Sequence, residues 1–286
     1  MQNGSSFLFF IDFLRKGRYN KIKIICHTKR KDRGEKMIHS FLMIGQSNMA
    51  GRGFPSEVEP LPKNDNIYVM RNGRWWPKYV PVNPDRVTAG VSLIETFAEE
   101  YSRDHKDVQI GIIPCADGGT AIEAWEEGGV LFDNAVNMCR LALRTSTIAG
   151  ILWHQGESNV NRREGYREKF LKMKKALTDK LDLHDVPFIA GGLGDFLVNY
   201  KEGAFVDYYR INDIYKELSR TEPMLGFASA EGLTANPDNL HFNAASLREF
   251  GVRYYEVFKT LERKDKVFVE KGSTADALKV REMERL

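Results

Sequence analysis

From Met37 onward the chain alternates short apolar runs with longer stretches in which apolar residues recur every three or four positions. The runs are His39 to Ile44, Val108 to Ile113, Ile148 to Trp153, Pro187 to Leu193 and Leu225 to Ser229. Each is rich in Ile, Val, Leu or Phe and is bounded by Gly, Pro or polar residues, which predicts a buried strand. Between them, Leu93, Ile94, Phe97, Ala98 and Tyr101 mark one helical face, and Leu131, Ala135, Met138, Cys139 and Leu143 another. Phe170, Met173 and Leu177 mark a third, and Ile211, Ile214, Tyr215 and Leu218 a fourth. Leu247, Phe250, Tyr254, Phe258 and Leu261 mark the last. Strands joined by long helical crossovers predict an α/β fold. The expected form is a three-layer α/β/α sandwich on a five-stranded parallel sheet. Asn72-Gly73, within Ile67 to Tyr79, predicts a tight hairpin inserted after the first strand.

The main domain is therefore expected over residues 37–262. Beyond it, 263–286 reads as a C-terminal extension, with Ser273 to Leu286 a capped polar helix. Residues 1–36 read differently. They hold ten Lys or Arg against Asp12, Asp32 and Glu35, so the rest of the 286-residue chain is mildly acidic although the whole carries +3. A mildly acidic body does not suggest a nucleic-acid partner. The stretch Phe7 to Leu14 is a poor signal peptide, because Asp12 interrupts it and no basic residue precedes it. Residues 1–36 are expected to be a translated basic leader, with Met37 as the start of the native protein. No run approaches 18 apolar residues, so no membrane span is expected. Three scattered cysteines, Cys26, Cys115 and Cys139, fit neither a disulfide framework nor a zinc cage, and point to a reducing, cytoplasmic setting.

In open parallel sheets ligands sit beyond the carboxyl ends of the strands. The unusual polar segments of this chain fall at those ends: Gly45-Gln46-Ser47-Asn48-Met49-Ala50-Gly51, Pro114 to Thr120, His154-Gln155-Gly156-Glu157-Ser158, and Asp238-Asn239-Leu240-His241. Ser47, where a buried strand turns into a helix, is a candidate nucleophile; equally, serine is a common helix N-cap. Met49 occupies the place of the second glycine of G-x-S-x-G, which argues against an ordinary α/β-hydrolase elbow. Asp238 and His241, three residues apart, can face each other, so that the carboxylate holds Nδ1–H and leaves Nε2 as a base toward Ser47. By itself such a pair is more often a helix cap and a surface histidine.

Gly118 and Gly119 can aim backbone N–H groups at a developing oxyanion, and Gln155 can add a side-chain amide. Gln46, Asn48 and Glu157 are expected to support the site, Glu157 by orienting its loop. No metal motif appears: H-E-x-x-H is absent and the other histidines are scattered. Trp76, Trp125 and Trp153 are candidate sugar-stacking platforms, although such tryptophans are more often core.

Four blocks together resemble the SGNH-hydrolase superfamily, and within it the sialate O-acetylesterase-like group that includes the family 6 carbohydrate acetylesterases. They are Ile44 to Met49, Gly118-Gly119-Thr120 with Trp125, Trp153 to Ser158, and Asp238 to Phe242, spread over Met37 to about Leu261. The resemblance implies an SGNH (flavodoxin-like) three-layer fold and a Ser47–His241–Asp238 triad. It implies metal-independent, cofactor-free removal of acetyl groups from sugars such as acetylated xylan oligosaccharides. The oxyanion hole would combine the Ser47 amide, a glycine of the second block and a side chain of the third. Most relatives carry Asp where Asn159 stands, which bears on the loop and not on the triad. Residues 1–36 match nothing in the family.

Three other readings stay open: a sialate O-acetylesterase, a thioesterase or lipase on the same fold, and a silent carbohydrate-binding protein. A sialate enzyme needs an arginine against the substrate carboxylate, for which Arg52, Arg162 and Arg163 are candidates. The expected partner is an acetylated sugar; neither nucleic acid nor membrane is expected, and the oligomeric state is open.

Overall fold

Along Ile38–Gly45 (β1) successive side chains face opposite sides of the sheet, and both sides are buried. Leu42 and Ile44 enter one core, Phe41 and Met43 the other. This is the pattern of a central parallel strand covered by helices on both faces. The computed structural model describes residues 37–262; the readings made for 1–36 and 263–286 lie outside the described residues.

After β1 come a single helical turn, Ser47–Ala50 (α1), then Ile67–Arg71 (β2) and Arg74–Pro77 (β3). Leu93–Asp104 (α2), Gln109–Pro114 (β4), Val130–Ala142 (α3) and Thr147–His154 (β5) follow. The chain continues through Tyr166–Leu181 (α4), Phe188–Gly191 (β6), Tyr209–Thr221 (α5), Leu225–Ala228 (β7) and Ala244–Leu261 (α6). The five strands and five long helices expected from periodicity all form, within a few residues of the expected bounds.

The sheet itself has seven strands, not five, in the order β3-β2-β4-β1-β5-β6-β7. The two extra strands are the Asn72-Gly73 hairpin, whose central residues both lie at positive φ. Ile67 and Val69 are sealed into the core, so β2 joins β4 in parallel instead of standing apart. β3 closes the edge antiparallel to β2. The expectation failed because a two-stranded insertion needs a third strand to bury one face, and the neighbouring edge of β4 supplies it.

Helices α3, α4 and α5 cover one face, through Phe132, Cys139, Phe170, Leu177, Ile211 and Tyr215. Helices α2 and α6 cover the other, through Leu93, Phe97, Tyr101, Phe250, Tyr254 and Phe258. Each such aromatic side chain contributes roughly 1.5–3 kcal/mol by leaving water. A Ser92–Glu95 capping box starts α2, and Asn243 caps α6 by accepting from Ser246 N–H. Cys115 and Cys139 are buried free thiols. Trp125 and Trp153 pack edge to face in the core, 5.5 Å apart, and are not platforms. Trp76 is half exposed, but on β3 at the outer edge of the sheet. Among the described residues no helix is long and apolar enough to cross a membrane.

Candidate active site

β1 lies between β4 and β5, the place where the strand order runs away in both directions and a crevice opens at the carboxyl ends. Gly45 ends β1 at φ 129°, and a Cβ there would lie 2.1 Å from the carbonyl oxygen of His154. Only glycine allows β1 to turn so close to β5. The turn delivers Ser47 to α1, where the residue is largely buried.

The histidine arrives from the far end of the chain. After β7, residues 235–242 fold back on themselves: Ala235 bridges Phe242, and Asn236 N–H donates to His241 O at 2.7 Å. Asp238 shapes the tip by accepting the N–H groups of Leu240 and His241 at 2.9 and 3.0 Å on Oδ1. Its Oδ2 lies 2.6 Å from His241 Nδ1, and His241 Nε2 lies 2.9 Å from Ser47 Oγ. Partial burial pushes the Asp238 carboxyl up, but the two N–H groups and the imidazole outweigh it and hold it below its ordinary value. A charged Asp238 is thus kept beside Nδ1, which leaves Nε2 to receive a proton from the serine.

The second block sits against the serine through a buried ion pair that sequence reasoning missed. Arg52 Nη1 and Nη2 donate to Asp85 Oδ1 and Oδ2 at 3.0 and 2.7 Å. Asp85 Oδ2 also accepts the Gly118 N–H at 2.8 Å. A Cβ on Gly118 would come within 2.5 Å of Arg52 Nη2, so glycine is needed for close approach. Removing one partner of such a pair typically costs about 3–5 kcal/mol. No local spacing advertised Asp85, which lies in an irregular loop and meets its partners only through the fold.

Two of the expected oxyanion donors are already engaged. Gly118 N–H is given to Asp85, as above. Gln155 is fully buried, and its Nε2 donates to Asn159 Oδ1 at 2.7 Å, with Thr120 O and Gln46 Oε1 each at 3.2 Å. Its Oε1 accepts from Tyr166 Oη at 2.6 Å. Gln155 therefore stitches the second and third blocks together. Asn159 does the same, accepting Ile122 N–H at 2.9 Å on Oδ1 and donating to Glu123 from Nδ2. By contrast, the N–H groups of Ser47 and Gly119 have no acceptor among the described residues.

Glu157 lies under the site. Its Oε1 meets His154 Nε2 at 3.1 Å and accepts from Asn48 Nδ2 at 2.5 Å. Burial pushes the Glu157 carboxyl up, yet His154 and Asn48 together bring it below its ordinary value. Of the three arginines considered for a substrate carboxylate, Arg52 is committed to Asp85 and Arg163 to Asp207 at 3.0 Å. Arg162 donates to Ser158 O and is otherwise exposed. Among the described residues, no group of three or more His, Cys, Asp or Glu is placed to hold a metal ion.

A parallel-dominated sheet between helical layers, with its polar turns gathered at one rim, is the three-layer α/β/α fold that the resemblance to SGNH hydrolases implies. Residues 37–260 match the family described as carbohydrate esterase, sialic acid-specific acetylesterase, and the chain belongs to that family. It is 27% identical over 243 residues to the probable carbohydrate esterase At4g34215 of Arabidopsis thaliana, covering 76% of this chain and 89% of that protein. The crystal structure of the Arabidopsis protein superposes with a TM-score of 0.68 at 26% identity, over 80% of this chain and all of that one. NanS shares the fold at 18% identity and a TM-score of 0.61, over 79% and 98% of the two chains. XAC1771, described as a novel carbohydrate acetylesterase from Xanthomonas citri, shares it at 21% identity and 0.60, over 78% of this chain and 56% of its own. Membership of that family supports an esterase of the carbohydrate O-deacetylating kind.

Proposed function

We propose that the protein removes O-acetyl groups from neutral sugars, such as acetylated xylan oligosaccharides, by a metal-independent route through an acetyl-enzyme on Ser47. The observation that carries this reading is the unbroken line from Asp238 Oδ2 through His241 to Ser47 Oγ. His241 Nε2 takes the hydroxyl proton as Oγ attacks the acetyl carbonyl carbon, and the carbonyl oxygen takes up the displaced electron pair. The N–H groups of Ser47 and Gly119 are free to receive that oxyanion. Collapse expels the sugar hydroxyl, protonated by His241, and water repeats the cycle on the acetyl-serine.

The neutrality of the sugar rests on charge. Of the three arginines considered, Arg52 and Arg163 are each neutralised by an aspartate, which leaves only the exposed Arg162, held at Ser158 O, to meet a carboxylate-bearing sugar. The test compares nitrophenyl acetate with the butyrate and octanoate, then measures acetate release from acetylated xylan and from O-acetylated sialic acid. Acetate is expected to be the best ester and xylan the better polymer. Preference for octanoate would make the enzyme a lipase or thioesterase. Faster release from the sialic acid would overturn the neutral-sugar assignment. Ser47→Ala is expected to abolish turnover at an unchanged Tm; retained turnover above a few per cent would remove Ser47 from the nucleophile role.

A further inference from the structure

The side-chain amides at this rim have their polarity fixed by backbone groups, whose donors and acceptors are unambiguous. Ile122 N–H points at Asn159 Oδ1, so that atom is oxygen, and Gln155 must turn its Nε2 toward it. Gln46 is fixed in the same way. Gly156 N–H and Ser158 N–H both point at its Oε1, at 3.4 and 3.3 Å, and Gln155 Nε2 points at it from 3.2 Å. The Gln46 Nε2 must therefore face away from the third block.

Among the described residues, that nitrogen has no acceptor. Gln46 is only 3% exposed, yet Nε2 is not among the buried polar atoms sealed from solvent without a partner. The small surface the residue keeps includes its amide hydrogens. Every other buried side-chain amide of these turns is spent. Asn48 Nδ2 goes to Glu157 and Leu240 O, Asn83 Nδ2 to Ala116 O, Asn159 Nδ2 to Glu123 and Asn236 Nδ2 to Arg52 O. One buried amide donor is left over, on the residue adjoining Ser47 and spanning toward the third block.

We infer that Gln46 Nε2, and not Gln155, is the side-chain donor of the oxyanion hole, completing a three-point cradle with the N–H groups of Ser47 and Gly119. The inference rests on the reading of Ser47 as nucleophile. Holding Oε1 with three N–H donors pre-orients the amide, so no reorganisation is needed as charge develops on the carbonyl oxygen. Gln155 then acts one step behind, as one of the three donors that hold Gln46.

Gln46→Glu separates the two roles. A carboxylate keeps an oxygen for the N–H groups of Gly156 and Ser158, but presents a second oxygen where the donor stood. The expected result is a fall in kcat on nitrophenyl acetate of about a hundred- to a thousand-fold, with KM and Tm little changed. A trifluoromethyl ketone gives a second readout. Ser47 Oγ bonds to its carbonyl carbon, the C=O π pair moves to oxygen and the hydroxyl proton passes to His241, so the adduct holds an oxyanion. Its affinity is expected to fall by the same factor as kcat. A purely structural role for Gln46 would instead lower Tm without making the two factors agree. If Q46E does not fold, Gln46→Met, of similar volume and lacking a donor, supplies the same pair of measurements.

Wild-type kcat in Q46E, or a larger kcat loss in Gln155→Glu at unchanged Tm, overturns the inference. Ser47→Ala is run beside them. Turnover surviving in S47A means that the nucleophile is misassigned, whereas an inactive S47A with a fully active Q46E means that only the Gln46 role is wrong.

Discussion

Asn48 Oδ1 accepts the backbone N–H of Phe242 at 3.1 Å, a bond that joins the serine turn to the histidine turn across 194 residues of chain. The same side chain donates from Nδ2 to Leu240 O at 3.2 Å. The residues on both sides of His241 are thus pinned to the residue that follows Ser47. The clamp ties the position of His241 directly to the turn that carries Ser47.

Asn48→Ala is therefore expected to lower kcat by about ten- to a hundred-fold, since small misplacements of a catalytic group are costly. KM should change little, because Asn48 is buried behind the serine. Steady-state kinetics on nitrophenyl acetate, on protein checked for equal Tm, decides it. An unchanged kcat would show that the loop holds His241 without the clamp.

Stability should respond to pH through His39, far from the rim at the start of β1. Burial, helped by the nearby charge of His105, pushes its imidazole down to about 4 against the pull of Glu262, and Tyr101 Oη lies 2.6 Å from its Nδ1. The unfolded chain binds that proton near pH 6.5, so between about 6.5 and 4 the unfolded state carries more protons and stability rises with pH. The contribution is complete above about 6.5 and is lost as the pH falls toward 4. His105 is raised instead, through its bond to Glu262 acting against burial, so its contribution changes above 6.5 and outside this window. Urea midpoints at pH 7.5 and 5 are expected to fall further in the wild type than in His39→Gln. Equal falls would acquit His39.

Periodicity was a good guide where an element meets one kind of neighbour. The β1 run is apolar on both faces because helices cover both, and the five-residue stripe of α6 is what one helix needs to cover one side. The hairpin at Asn72-Gly73 was legible as a hairpin, but its docking on β4 was not. That pairing depends on Ile67 and Val69 meeting Ile110 and Ile112, a long-range register with no local signature. The site divides in the same way. Ser47, Asp238 and His241 stand at turns that sequence can mark. Asp85 meets Gly118 and Arg52 only in the fold, and which of Gln46 and Gln155 keeps an unspent amide donor depends on the backbone N–H groups that fix the polarity of the amides. Hydrogen-bond polarity is a property of the assembled rim.

Chelation offers a direct check on the serine route. Ser47, His241 and the oxyanion donors account for each proton and electron pair of the proposed reaction. Incubation with EDTA followed by gel filtration is expected to leave kcat unchanged on nitrophenyl acetate. Loss of activity restored by added zinc would replace the serine mechanism.

The last prediction ranks two acids of the rim, Asp238 and Glu157. Asp238 lies 2.6 Å from His241 Nδ1, where on the proposed route it would set the tautomer and stabilise the imidazolium formed as Ser47 attacks. Asp238→Asn should lower kcat by roughly three to four orders of magnitude, by analogy with the aspartate of serine-protease triads, and change KM little. Glu157 meets a different histidine: His154 is fully buried, its Nε2 faces Glu157, and neither reaches Ser47. Glu157→Gln can keep its oxygen toward His154 Nε2 and Asn48 Nδ2, placing the new NH₂ where Oε2 has no partner now. Its effect reaches the chemistry only through Asn48 and the clamp on Phe242. The expected loss is about ten- to a hundred-fold, similar to that of Asn48→Ala and not additive with it. Kinetics of E157Q, N48A and the double variant, beside D238N, check both the ranking and the shared route. A larger loss in E157Q than in D238N would mean that Glu157, and not Asp238, supports the catalytic base.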